Sequence, residues 1–239
     1  MRQPVSSGGP GERKMTNPAL SKRQQTVERT REKLLCAALE LYASHSIDAV
    51  SLRQIGVAAG QKNPNALQYH FGDRQALLQA IIDKHATHVA SLREAYIERA
   101  EQGEWEPGEA AARCLVMPII DYVNTTHEGI QFVKVVSQVA AIYQNGALDR
   151  NGHGIRFPEN RALAAIFSSA LESLSGREAQ RRIYLVVTNT FHSIADIYGN
   201  AGQRTGVKEA GARKAMTEQL VLLLTAFFCA PALQKRTVD

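Results

Sequence analysis

The chain has 239 residues, of which 44% are hydrophobic, so it can bury a sizeable core. No stretch reaches the ~18 uninterrupted apolar residues of a membrane helix, and the N-terminal segment lacks the apolar region of a secretory signal. Met1 to Gln75 contains 11 Lys and Arg against 6 Asp and Glu and so carries the whole net charge of +5, because the remaining residues balance at 17 of each sign. This asymmetry favours a polyanion-binding N-terminal module on a neutral body.

The N-terminal segment, residues 1–22, is rich in Gly, Pro, Ser and charged residues and poor in large apolar ones. This composition predicts a disordered, basic tail. Two roles remain open for it: a solubilising arm, or an arm that adds phosphate or minor-groove contacts to a DNA-binding module.

The cysteines Cys36, Cys114 and Cys229 are far apart, odd in number and without metal-ligand spacing. We interpret them as small buried apolar side chains in a reducing compartment, with a redox-sensing thiol as the alternative.

Two helices are predicted where the tail ends. The first runs from about Gln24 to about Ser44, because its apolar residues recur at spacings near three and four. The second is about two turns long and follows Ser51, whose hydroxyl can accept an unpaired backbone N–H. Gly60 can adopt a positive φ and end this helix.

A third short helix is predicted close behind the second. Asn63 as N-cap and Pro64 at the first helical position form a start signal, and Gly72 can end the helix. Two short helices joined by a tight turn form a helix-turn-helix, in which the second helix enters the DNA major groove. Short helices are unstable alone, so an apolar set must pack against the first helix. This set is Leu52, Ile55, Leu67 and Phe71.

The rest of the chain predicts a helical body. A long helix runs from Asp73 to about Arg99, and residues 104–109 and 146–157 are predicted loops. Pro118 should kink or split its helix. No alternating strand pattern and no fixed repeat is present, so the fold class is all-α, with a three-helix domain at 23–73 and a larger domain at 74–232. The further predicted helices are at about 109–126, 129–145, 159–175, 177–199 and 209–230.

The segment Leu67-Gln68-Tyr69-His70-Phe71-Gly72-Asp73-Arg74, followed by a Leu-rich helix, resembles the DNA-binding domain of the tetracycline-repressor-like (TetR) family. The resemblance covers roughly residues 24–80, and the remaining two thirds fit only in architecture. The turn at 61–63 is one residue longer than is common in the family. The family's usual Tyr is replaced by Gln68, so the phosphate-contacting role falls on Gln68 or on Tyr69.

The resemblance implies a set of DNA contacts on the second and third helices and the turn between them. Asn and Gln side chains can pair with adenine, and Lys favours guanine acceptors. Helix N-termini would meet phosphates. The candidates are Ser51, Arg53, Lys62, Asn63, Asn65, Gln68, Tyr69, His70 and Arg74.

Several of these candidates have a purely structural alternative. Ser51 and Asn63 could act only as helix caps, and Tyr69 could pack against the first helix. Arg74 could form an ordinary salt bridge, and Lys62 could be a solvated turn residue. The sequence leaves both interpretations open for each of them.

The resemblance also implies a homodimer, formed by the last two long helices, and a body that senses a small molecule. A twofold dimer would hold two recognition helices about 34–36 Å apart, which suits double-stranded DNA with a near-palindromic operator. The implied function is a cytoplasmic bacterial repressor, bound to the nucleoid until an apolar or amphipathic ligand releases it. Candidate ligand contacts, each of which could equally be plain core, are Met117, Tyr122, His127, Phe132, Tyr143, Phe167, Asn189 and His192.

Four other functions compete with the ligand-released repressor. They are a DNA-binding dimer without a ligand, an activator or corepressed regulator, a helical enzyme, and a peripheral membrane binder. No Ser/His/Asp, Cys/His or paired-carboxylate set has useful spacing, so we predict no catalytic residue. The tail lacks an amphipathic face for membranes. His85 and His88 would need a third ligand to bind a metal, so no metal or cofactor is predicted.

Overall fold

The structure is a computed structural model, and it describes residues 21–63, 65–142, 154–199 and 207–232. Within these ranges every regular element is helical, as predicted. A 3₁₀ turn, Ile47–Ala49, separates the first two helices. The α-helices are α1 (Lys22–Ser44), α2 (Leu52–Ala58), α3 (Ala66–Phe71), α4 (Arg74–Glu101), α5 (Pro107–Thr125), α6 (Gly129–Ile142), α7 (Arg161–Ala170), α8 (Gly176–Gly199) and α9 (Val207–Cys229).

Helix α1 begins slightly earlier than the composition suggested. The Ser21 hydroxyl accepts the Gln24 backbone N–H at 3.3 Å, and the Gln24 side chain accepts the Ser21 N–H at 2.9 Å. This reciprocal pair satisfies two backbone donors at the helix start. The predicted tail is therefore wrong for residues 21 and 22, and residues 1–20 lie outside the described ranges.

The turn between α2 and α3 differs from the prediction at Asn63. Gly60 has φ 68° and follows the end of α2, as predicted. Asn65, not Asn63, is the N-cap of α3. The Asn63 side-chain oxygen accepts the Asn65 N–H at 3.0 Å, a local turn that competes with a helix start. The N-cap prediction for Asn63 is therefore wrong, and Pro64 lies outside the described residues.

Helices α1 to α3 pack as a small head, which we define as residues 21–73. Ile55 and Leu67 are buried, and Leu52 and Phe71 are half-buried against the same core. The predicted set therefore does pack together. The Arg31 guanidinium lies 5.1 Å from the Phe71 ring centre and covers its exposed side.

Helix α5 forms the centre of the body because it is buried on nearly all sides. It packs against α4, α6, α7 and α9. It begins at Pro107, inside the predicted loop, because Pro suits the first helical position. It continues through Pro118 without a break, so the helix is not split there. No helix among the described residues is both long and apolar enough to span a membrane.

Candidate functional site

The exposed face of the head carries polar side chains from α2, the turn and α3. Arg53, Lys62, Asn65 and Gln68 are all exposed. Tyr69 is 75% exposed, although its ring is large and apolar. The ring lies beside the N-terminal turn of α1 rather than in the core, so core packing does not account for Tyr69.

The remaining head candidates are engaged in local structure. The Ser51 hydroxyl caps α2, accepting the Gln54 N–H at 3.2 Å and donating to the Gln54 side chain at 2.7 Å. The Arg74 guanidinium donates to the Ile47 carbonyl and so ties the start of α4 to the 3₁₀ turn; it forms this bond rather than the salt bridge that was the structural alternative. His70 is half-buried, with its ring edge-on to Tyr69 at 5.1 Å. These residues position the exposed face.

The sequence of this head matches a known family. Residues 34–81 match the model for bacterial regulatory proteins of the tetR family, and the match includes the C-terminal half of α1, all of α2 and α3, and the start of α4. Residues 34–81 therefore form a TetR-family DNA-binding segment. This match supports a DNA-binding transcription regulator.

Two solved structures resemble most of the chain in fold. One is a TetR-family regulator from Streptomyces coelicolor, with 17% identity, a TM-score of 0.44, and coverage of 85% of this chain and 96% of that one. The other comes from work on the molecular basis of the control of antibiotic production by bacterial hormones. It has 18% identity, a TM-score of 0.45, and coverage of 84% of this chain and 97% of that one. No curated protein sequence matches the chain.

The body contains a cavity of about 270 Å³ between α4, α5, α6, α7 and α8. Its wall is apolar except for Arg93, Glu159 and Asn160. Of the predicted ligand contacts, Phe132 and Phe167 line it. The sequence reasoning missed Arg93, although its spacing from Val89 on α4 places it on the same helix face.

Asn189 and His192 lie on the exposed side of α8 and not at the cavity. The Asn189 amide donates to the Leu185 carbonyl at 2.8 Å, and His192 Nδ1 contacts the Thr188 carbonyl at 3.0 Å. Both side chains are thus bound to their own helix. They do not line this cavity, because α8 turns them outward beside exposed Leu185.

Three more predicted ligand contacts lie away from this cavity. Met117 lines a separate groove between α5 and α9. Tyr122 is buried against His85, and His127 is exposed at the turn between α5 and α6. These three side chains do not line this cavity. Apolar periodicity predicts that a helix face is buried, but it does not predict which buried face borders a cavity. Tyr143 lies outside the described residues.

His85 is a buried histidine with a defined partner. Its Nδ1 lies 2.6 Å from the Tyr122 hydroxyl, and its ring stacks on Phe132 at 5.1 Å. Burial lowers the pKa of His85 to about 4, with a further contribution from the nearby Lys84 ammonium. The imidazole is therefore neutral at pH 7. It does not pair with His88, which is exposed.

We expect His85 to make the protein less stable as the pH falls. The unfolded histidine, with its ordinary pKa of 6.5, takes up a proton that the folded one resists down to about pH 4. The stability is therefore fully present above about pH 6.5 and falls by about 3 kcal/mol towards pH 4. Urea unfolding at about pH 7 and pH 4.5 measures this loss. It should shrink in His85→Leu, and an equal loss in both proteins would contradict the assignment.

A charged cluster joins the head to the body, and the sequence reasoning did not find it. The Lys84 ammonium lies 2.5 Å from Glu32 of α1 and 3.1 Å from Glu128 beside α6, and the Cys36 thiol lies 3.2 Å from Glu128. Possible ligand atoms of Glu32, Cys36 and Glu128 lie within 4.8 Å of one another, so this set could also hold a metal ion. However, the Lys84 ammonium already lies against both carboxylates. Long sequence separations hide such a cluster from spacing arguments.

The electrostatics of the cluster favour an ion pair with an unreactive thiol. Burial opposes the charge of Lys84, but its hydrogen bonds with Glu32 and Glu128 outweigh burial and raise the Lys84 pKa. Burial likewise opposes the charge of Glu128, but hydrogen bonds from Cys36 and Lys84 hold its pKa below the ordinary value. Burial and the Glu128 contact raise the pKa of Cys36 to about 12. Cys36 is therefore a poor redox sensor.

Gln138 of α6 forms a second connection between body and head. Its side-chain oxygen accepts the Ile47 N–H at 2.9 Å, and its amide nitrogen donates to the Tyr42 carbonyl at 2.7 Å. One side chain thus joins the end of α1 and the 3₁₀ turn to α6. A displacement of α6 would act directly on the segment that leads into α2.

Proposed function

We propose that the protein is a homodimeric repressor that binds a near-palindromic operator and is released from it by a small molecule in the body cavity. The observation that carries this proposal is the position of α6. Phe132 of α6 lines the cavity, and Glu128 and Gln138 at either side of it contact the head. The protein would act in the cytoplasm and lie on the nucleoid when bound.

The exposed face of the head supplies the DNA contacts in this proposal. Asn65, Gln68 and Tyr69 would read base edges from α3, and Arg53 and Lys62 would contact bases or phosphates. All five are exposed. Ser51 and Arg74 would place the N-termini of α2 and α4 near phosphates while keeping their structural bonds.

An apolar face on α8 and α9 supports dimerisation. Leu185 on α8 is 47% exposed, and Met216, Leu222 and Leu223 on α9 are 54%, 61% and 52% exposed. The C-terminal part of α9 is apolar almost all round, a pattern typical of a buried helix, yet the single chain leaves this side uncovered. A second copy of the same face would cover it, as a twofold interface requires.

Ligand control follows if the ligand favours one position of α6. A molecule in the cavity would press on Phe132, and the bonds of Gln138 and Glu128 would pass a shift of α6 to the head. Only a ligand with different affinities for the two arrangements can change the DNA affinity. The two heads of a dimer would then be misplaced for adjacent major grooves.

Salt dependence tests the DNA contacts without knowledge of the operator. We expect the affinity of the full chain for a duplex of random sequence to fall steeply between about 50 and 200 mM salt, because bound phosphates release counterions. Lys62→Ala should reduce the slope of log affinity against log salt by about one. Fluorescence anisotropy measures both. Lys208→Ala on α9 is the matched control, and an equal effect of the two variants would contradict a role for Lys62.

A further inference from the structure

The cavity contains one arginine whose charge lacks a counterion. Arg93 lies on the same face of α4 as Ala86 and Val89, and all three line the cavity. Its Nε donates to the Cys114 carbonyl at 2.9 Å, which fixes the guanidinium plane against α5. Within the described part of the chain, no carboxylate forms an ion pair with Arg93, and its terminal nitrogens have no hydrogen-bond partner.

Burial of the guanidinium makes this lack of a partner costly. Arg93 is half-buried, and this burial lowers its pKa; the opposing contribution comes from the Cys114 thiol and not from a carboxylate. Glu159 lines the same cavity, but it is exposed and forms no ion pair with Arg93. A buried charge is normally paired, so a guanidinium held against an apolar wall is arranged to receive an anion.

The apolar wall limits what this anion can be. Leu115, Phe132, Leu163, Phe167 and Phe191 surround the space next to Arg93. A volume of about 270 Å³ lies just below the ~300–1,000 Å³ of drug-sized ligand sites, so the occupant is small. A single guanidinium matches one carboxylate through two parallel hydrogen bonds, whereas a phosphate dianion would call for more donors.

We infer that the cavity binds a small apolar carboxylic acid, with its carboxylate paired to Arg93 and its hydrocarbon part against the phenylalanine and leucine side chains. This inference rests on the proposed function, because it assigns a chemical class to the proposed effector. Arg93 sets the specificity for an acid over a neutral molecule of the same shape, because the neutral molecule would leave the guanidinium buried and unpaired.

Matched acid and alcohol probes test the inference on the full chain. Octanoate, decanoate and 1-naphthoate are compared with octanol, decanol and 1-naphthalenemethanol by isothermal titration calorimetry. We expect at least one acid to bind at least about tenfold more tightly than its alcohol, as charge-assisted hydrogen bonds predict. Arg93→Gln should abolish that preference, and Arg93→Lys should keep part of it. Arg177→Gln removes an exposed arginine of α8 that does not line the cavity; it is the matched control and should leave acid binding unchanged.

Three results would overturn the inference: alcohols that bind as tightly as acids, unchanged acid binding in Arg93→Gln, or no binding of any acid to the wild type. Circular dichroism of each variant separates lost binding from lost folding, and Arg93→Lys retains a donor for the Cys114 carbonyl. DNA affinity is measured on the same preparations. Acid binding without any DNA binding would contradict the proposed repressor function but not the acid site. DNA binding without acid binding would contradict only the acid site.

Discussion

Replacing Leu222 and Leu223 with Glu should convert the protein to monomers and weaken operator binding by about a hundredfold or more. Both side chains are more than half exposed in the single chain, at 61% and 52%. Burying a leucine side chain contributes about 1.5–3 kcal/mol to the free energy of association, and a dimer buries each of these leucines once in each protomer. A buried, unpaired carboxylate adds a further penalty. A monomer also loses the second head, whose binding is effectively intramolecular in the dimer.

Sedimentation velocity over a range of concentrations measures the first effect, and anisotropy with an operator duplex measures the second. Ala165→Glu places the same charge on the exposed side of α7 and should leave both results unchanged. A dimer that persists in the double variant would show that the α8–α9 face is not the interface. The circular dichroism spectrum should remain helical, because neither leucine belongs to the buried core.

Replacing Tyr69 with Ala should weaken operator binding by about tenfold to a hundredfold, a loss of roughly 1.4–2.8 kcal/mol. The ring is 75% exposed on α3, between the exposed polar side chains of the head. Because it buries little of itself in the free protein, its loss should change the unfolding free energy by only about 0.5 kcal/mol. DNA affinity and stability should therefore separate in this variant.

Two further variants divide the contribution of Tyr69. Tyr69→Phe keeps the ring and removes only the hydroxyl, so it reports a hydrogen bond to phosphate or base. Trp105→Ala truncates a half-exposed aromatic residue outside the head and the cavity, and it should leave DNA affinity unchanged. If Tyr69→Ala instead destabilised the fold by several kcal/mol with unchanged affinity in the folded fraction, the packing alternative would hold.

The head could be predicted from the sequence because its signals are local. The Ser51 cap, the positive φ of Gly60 and the apolar pair Ile55 and Leu67 all lie in one short segment, residues 51–67. The one local error, at Asn63, arose because an Asn side chain can cap a helix or close a turn equally well. Only the backbone around it decides between these.

The body could be predicted as helices but not as a site. Helical periodicity identified the apolar faces. Phe132 and Phe167 do line the cavity, whereas Asn189 and His192 face outward. Which apolar face borders an empty space depends on how five helices pack, and no short-range pattern encodes it. The Lys84–Glu128 pair and the Gln138 bonds likewise join segments far apart in the chain.

Sequence selection from a random duplex pool tests whether the head of the dimeric protein binds a specific operator sequence. Wild type and Tyr69→Ala are each incubated with the pool, and the retained DNA is sequenced. We expect a near-palindromic motif with half-sites about one DNA turn apart in the wild type, and its loss or severe depletion in Tyr69→Ala. If folded, dimeric wild-type protein enriched no motif, either alone or with a cell metabolite extract added, sequence-specific regulation by this head would be contradicted.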